Sequence, residues 1–115
     1  MPGYTVEKPI LLPLKDGTYK PVRINNILYA EVDKAYIIVH YVDGKSEPFP
    51  ISLTKLEETL PADYFSRTSR NYIAAIYNVD NVGKDAIKIG AVTLPLTDKY
   101  RRQFFSRFYS FIGKD

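Results

Sequence analysis

The chain has 115 residues, 45% hydrophobic and 25% charged, enough apolar material for one core and too much for a disordered segment. A formal net charge of +3 is a mildly basic balance that suits a nucleic-acid partner without requiring one. Cysteine is absent, which excludes disulfides, thiolate chemistry and zinc-ribbon sites and allows a reducing compartment; a cytoplasmic location is the expectation. Met1-Pro2-Gly3-Tyr4 lacks the basic-then-apolar pattern of a signal peptide, and no apolar run is long enough to span a bilayer, so no membrane partner is expected.

In chain order, Ile10-Leu11-Leu12-Pro13-Leu14 and the stretch Thr18 to Ile24 flank Asp16-Gly17, which predicts a β-hairpin. Pro13 and Pro21 lack ladder donors and place both strands at edges. After Asn25-Asn26 comes a strand from Ile27 to Val32, then the polar connection Asp33-Lys34-Ala35. The strand Tyr36 to Val42 is apolar on both faces, which predicts cover on both sides, as in a sandwich or stacked sheets. Asp43-Gly44 closes a second hairpin that returns through Ser46 to Ile51.

A short helix follows. Thr54-Lys55-Leu56-Glu57 fits a capping box, Ser52 competes as N-cap, Leu53, Leu56 and Leu60 form the apolar stripe, and Pro61 ends it. Ala62 to Phe65 lead into a basic segment, Arg67-Thr68-Ser69-Arg70-Asn71, read as a polar loop. Tyr72 to Val82 fits a short strand or a helical turn. Ala86 to Ile89 and Val92 to Leu96 form a hairpin around Gly90-Ala91. Thr97 is the N-cap of a last helix from Asp98 to Ile112, with Tyr100, Phe104, Phe108, Phe111 and Ile112 on one face. No linker or repeat divides residues 1–115, so one domain is expected.

Catalytic signals are lacking. His40 is the sole histidine and alternates with apolar strand residues, which makes its role structural, and no metal or other cofactor is expected. No nucleophile elbow, P-loop or dinucleotide fingerprint is present. Glu57 and Glu58 read as a solvated helix face. Glu31 and Asp33 can share a strand face, but Asp33 suits the loop. The chain reads as a non-enzyme with three polar patches: Asp33 to Tyr36, Arg67 to Asn71, and Lys99-Arg101-Arg102 at a helix N-terminus, where free backbone N–H groups favour phosphate. Each patch alone is ordinary solvated surface.

Three segments carry a resemblance. Ile24-Asn25-Asn26-Ile27-Leu28-Tyr29-Ala30-Glu31 is similar to an entry strand ending in Tyr/Phe-x-Glu. Leu53 to Pro61 followed by Tyr64-Phe65-Ser66-Arg67-Thr68-Ser69-Arg70-Asn71-Tyr72-Ile73 is similar to a helix, a Leu-Pro stop and a Phe-x-Arg-x-His-Arg-Ser-Tyr-Ile signature. Leu94-Pro95-Leu96-Thr97-Asp98-Lys99-Tyr100-Arg101 is similar to an Ile-Pro-Val-Ser-Arg-Arg-Tyr-Arg run. In this order they resemble the LytTR family of bacterial DNA-binding domains (the LytR/AlgR regulators), over about Lys8 to Phe108.

The resemblance implies a mainly β fold, an elongated stack of small antiparallel sheets with short helices and a C-terminal helix. It implies sequence-specific binding of double-stranded DNA in transcription regulation, with loops inserted into successive major grooves. By position, Tyr36, Arg70, Thr97 and Lys99 would contact bases, and Lys34, Arg67, Ser69, Asn71 and Arg101 the DNA backbone. Direct-repeat targets and a homodimer on DNA are also implied. The family usually carries this module behind a receiver domain or a membrane segment, so both a stand-alone regulator and the output domain of a two-component response regulator fit. Ser69 replaces a common His, Asn71 a common Ser, and Asp98 a frequent Arg. Asp98 either accepts from a cytosine amino group or favours the helix N-terminus electrostatically. Two rival readings are a protein-interaction module of the same fold, motivated by Asp98 and Ser69, and a single-strand binder, motivated by the 10 tyrosines.

Overall fold

The N-terminal hairpin forms as its turn chemistry dictates. In the computed structural model, which describes residues 8–109, β1 (Ile10–Pro13) pairs antiparallel with β2 (Tyr19–Val22). The Asp16 carboxylate accepts from the Thr18 N–H at 2.9 Å and from its hydroxyl at 2.6 Å, and Gly17 supplies φ +89°. Among the described residues this sheet has two strands, so both prolines lie on edge strands.

A one-turn 3-10 segment, Ile24–Asn26, leads into β3 (Ile27–Asp33), β4 (Tyr36–Tyr41) and β5 (Ser46–Phe49). Then come α1 (Leu53–Thr59), β6 (Phe65–Ser69) and β7 (Tyr72–Ala75). These strands make one antiparallel sheet ordered β5-β4-β3-β7-β6. Strand β3 runs one residue past Val32, because Asp33 pairs with Tyr36 across a two-residue turn. Ser52, not Thr54, caps α1: its hydroxyl accepts from the Lys55 N–H at 3.0 Å. Leu53, Leu56 and Leu60 are all buried.

The stretch Tyr72 to Val82 contains both of the structures its pattern allowed. After β7 a 3-10 turn, Ile76–Asn78, precedes β8 (Val79–Val82). With β9 (Ala86–Ile89) and β10 (Val92–Pro95) it forms a three-stranded sheet ordered β10-β9-β8. The final helix, α2 (Asp98–Phe105), is shorter than its periodicity suggested. Turns from Arg107 N–H to the Phe104 carbonyl and from Phe108 N–H to the Phe105 carbonyl tighten its end, which brings the Phe108 ring to 5.3 Å from Phe104. Phe111 and Ile112 lie outside the described residues. Thr97 is the N-cap by backbone geometry, but its side chain makes no capping bond.

The five-stranded sheet is the middle layer. One face buries Ile37, Val39 and Ile73 against Ile10, Leu12 and Leu56 of the hairpin and α1. The other buries Tyr29 and Ala74 against Ile87, Leu94 and Phe104 of the three-stranded sheet and α2. Completely burying a side chain such as Phe104 contributes about 1.5–3 kcal/mol. The mainly β stack is elongated, 50 × 38 × 25 Å.

Cover over β4 is unequal, contrary to the two-sided expectation. Ile37 and Val39 are fully buried, whereas Tyr36, Ile38 and His40 are half-buried, because the second core is built on β3 and β7. His40 is structural: its ring stacks on Tyr29 with centroids 4.3 Å apart, and its Nε2 lies 2.6 Å from Glu31 Oε2.

Candidate nucleic-acid interface

Strand register brings the three polar patches together. Lys34-Ala35 joins β3 to β4, and Arg70-Asn71 joins β6 to β7. Glu31 pairs with Tyr72, and the Val32 N–H donates to the Asn71 carbonyl at 3.0 Å, so both turns project from one end of the central sheet. The Thr97 N–H donates to the Thr68 carbonyl at 2.9 Å, which fixes the start of α2 beside the same end of β6. Segments more than sixty residues apart in sequence thus form one edge. The hairpin turn between β1 and β2 approaches it too, with Lys15 Nζ 5.8 Å from the Tyr36 ring centroid.

Exposure divides the residues of this edge. Lys34, Arg70, Asn71, Thr97 and Lys99 are exposed, and Tyr36 is half-buried at the start of β4. Lys34, Arg70 and Lys99 join no ion pair among the described residues. Lys34 occupies the left-handed region, with φ +60°, which the two-residue turn requires. Lys99 Nζ lies 5.4 Å from the Tyr100 ring.

The basic segment is not a loop throughout, which corrects the sequence reading. Phe65 to Ser69 form a strand whose every residue is buried, and only Arg70-Asn71 make the turn. Position between α1, α2 and β7 buries this strand despite its polar composition. Arg67 is 7% exposed, with Nε donating to the Ser69 carbonyl at 3.1 Å and Nη2 to the Arg70 carbonyl at 2.9 Å. Its Nη1 pairs with Glu57 Oε1 at 3.0 Å, and its guanidinium lies 5.4 Å from the Tyr100 ring centroid. Ser69 is buried as well, its hydroxyl accepting from the Asn71 N–H at 3.1 Å.

Glu57 is therefore half-buried, with one carboxylate oxygen paired to Arg67, rather than on a fully solvated helix face. It lies at the i+4 position from Leu53, beside Leu56 and Leu60.

Arg101 is half-buried and spans three segments. Its Nε donates to the Lys84 carbonyl at 2.9 Å, while Nη2 pairs with Asp85 at 3.2 Å and donates to the Leu96 carbonyl at 3.3 Å. Its Nη1 also pairs with Asp98. Asp98 thus meets a cation of its own helix as well as the positive end of the helix dipole.

No group of His, Cys, Asp and Glu that could hold a metal ion occurs among the described residues. None of their helices is long and apolar enough to cross a membrane.

Comparison with known proteins identifies the family and the fold. The family model for the LytTr DNA-binding domain matches residues 17–108. Among solved structures, the chain is similar to the LytTr DNA-binding domain of a protein described as a methyl-accepting/DNA response regulator from Bacillus cereus. The TM-score is 0.72 at 20% identity, covering 89% of this chain and 97% of that one, a likeness of fold. Among curated proteins there is no match.

Proposed function

Because the chain belongs to the LytTr DNA-binding domain family, a family of transcription-regulating DNA-binding modules, we propose that it reads duplex sequence with the turns gathered at one end of its central sheet. The observation that carries this reading is the pair of backbone bonds, Val32 to Asn71 and Thr97 to Thr68, that puts three exposed polar segments on one edge. Arg70 projects from a tight turn with no competing ion pair among the described residues, and its fork matches the O6/N7 edge of guanine in the major groove. Tyr36, Thr97 and Lys99 lie along the same edge and are the other base-contacting candidates. Lys34 and Asn71 flank them as contacts to phosphate. Arg101, with its donors engaged inside the protein, supports the segment from Leu96 to Lys99.

Affinity then comes mainly from phosphate neutralisation and falls steeply with salt, while Arg70 supplies discrimination. Separate turns entering successive grooves suit direct-repeat sites occupied by two copies of the domain. Selection of bound sequences from a random duplex pool tests the reading. Enrichment of a repeated motif supports it. Equal retention of random and selected duplexes overturns sequence specificity, and no retention even at low salt assigns the fold to protein interaction instead.

A further inference from the structure

The guanidinium of Arg67 lies behind the Arg70-Asn71 turn. We infer that Arg67 is a positioning residue that sets the geometry of this turn from inside the protein and makes no contact with phosphate; the inference rests on the DNA-binding reading above. Three observations carry it. The Arg67 side chain is 9% exposed, too little for a hydrated phosphate contact. Two of its donors hold the carbonyls of Ser69 and Arg70, the residues that open the turn. A third holds Glu57, which anchors the guanidinium to α1, and the Tyr100 ring of α2 flanks it.

Turn carbonyls that face inward need a donor or water. A planar fork with divergent N–H groups meets two carbonyls and a carboxylate at once, whereas an ammonium is a single point of charge. Arg67 is therefore specified as arginine by the protein's own backbone. A shift of the Arg70 carbonyl by a fraction of its bond length would rotate the Arg70 side chain away from any bidentate register, which tolerates little displacement.

The two roles leave different marks on binding. A phosphate contact removed makes the salt dependence shallower, by about 0.9 in log–log slope. A positioning residue removed leaves the slope and lowers the preference for the selected sequence. Binding of Arg67→Gln, which removes the charge, Arg67→Lys, Glu57→Ala and Arg70→Ala to a selected duplex and a random duplex, over a salt series, separates them.

The expected result is that Arg67→Gln and Arg67→Lys each lose discrimination by about tenfold, as for one good base contact, and that Arg67→Gln keeps the wild-type slope. Adding Arg67→Lys to Arg70→Ala then costs no further discrimination. Glu57→Ala also lowers discrimination, although it removes a negative charge and simple electrostatics would tighten binding. A shallower slope in Arg67→Gln with discrimination intact overturns the inference, as does no change in either quantity. If Arg67→Lys fails to fold, unchanged discrimination in Glu57→Ala overturns it alone.

Should the wild-type chain bind no duplex, the DNA-binding reading fails by itself. The turn can still be followed by hydrogen exchange of the Val32 and Asn71 amides, which donate to the Asn71 carbonyl and the Ser69 hydroxyl. Faster exchange in Arg67→Lys confined to these amides supports the positioning role, and unchanged exchange rejects it.

Discussion

The Thr97 N–H donates to the Thr68 carbonyl at 2.9 Å, while the Thr68 hydroxyl is buried with no hydrogen-bond partner among the described residues. The backbone of Thr68 thus joins β6 to the start of α2, and its side-chain oxygen contributes nothing visible to that joint. An unsatisfied buried hydroxyl costs about 1–3 kcal/mol. Thr68→Val keeps the shape and the carbonyl and removes the hydroxyl. It is expected to raise the urea-unfolding free energy by about 1 kcal/mol and leave duplex affinity unchanged. A destabilised variant would show that the hydroxyl has a partner, such as a buried water.

Exposed cations of the edge separate by kind. Arg70→Ala is expected to lose about 1–3 kcal/mol of preference for the selected duplex. Lys34→Ala is expected to weaken all duplexes alike and to make the salt dependence shallower by about 0.9. Titration of labelled duplexes by anisotropy at several salt concentrations measures both. The assignment fails if Arg70→Ala weakens selected and random duplexes equally.

Arg101 ties the β8–β9 connection at Lys84 and Asp85 to Leu96 and Asp98. Arg101→Ala is expected to destabilise the fold by about 1–2 kcal/mol, the scale of a few partly exposed hydrogen bonds. Affinity should fall on every duplex, with the salt slope kept. A shallower slope would instead identify Arg101 as a phosphate contact.

Tyr41 predicts behaviour at high pH. Burial, followed by its hydrogen bond to Glu47 at 2.9 Å, pushes its phenol well above the usual tyrosine range. A raised folded-state pKa means the stabilisation is complete below the unfolded value of about 10 and is lost as pH rises above it, because the unfolded chain ionises first. Tyr41→Phe should cost about 1 kcal/mol at neutral pH and flatten the alkaline decline. Tyr29, raised by burial and then by Glu31, leaves part of that decline in place. Unfolding curves between neutral pH and the alkaline limit test this. An alkaline limb as steep as the wild type's would remove Tyr41 as its source.

Elements with local causes were legible in the sequence. Asp16-Gly17 and Asp43-Gly44 each close a hairpin, and Leu53, Leu56 and Leu60 mark the buried side of α1. The motif order pointed to the family, and with it to the layered arrangement. Features that depend on tertiary cover were not legible. Arg67-Thr68-Ser69 has the composition of a loop but lies between α1, α2 and β7, so its polar groups are buried in a strand. The same blindness hid the Arg67–Glu57 pair, since the carboxylate and its cation lie ten residues apart on different elements. Local preference also overstated α2, whose end is set by Phe108 turning back onto Phe104.

Lys34, finally, sits at φ +60°, where glycine or asparagine would close the turn with less strain. A left-handed lysine costs the folded state about 1 kcal/mol relative to glycine. Foldability alone would discard a lysine at this corner. Under the DNA-binding reading proposed above, a lysine at this corner trades backbone stability for contact with phosphate. Lys34→Gly should accordingly give a hardier protein and a poorer ligand-binder, the signature of a residue kept for its chemistry at the expense of its backbone.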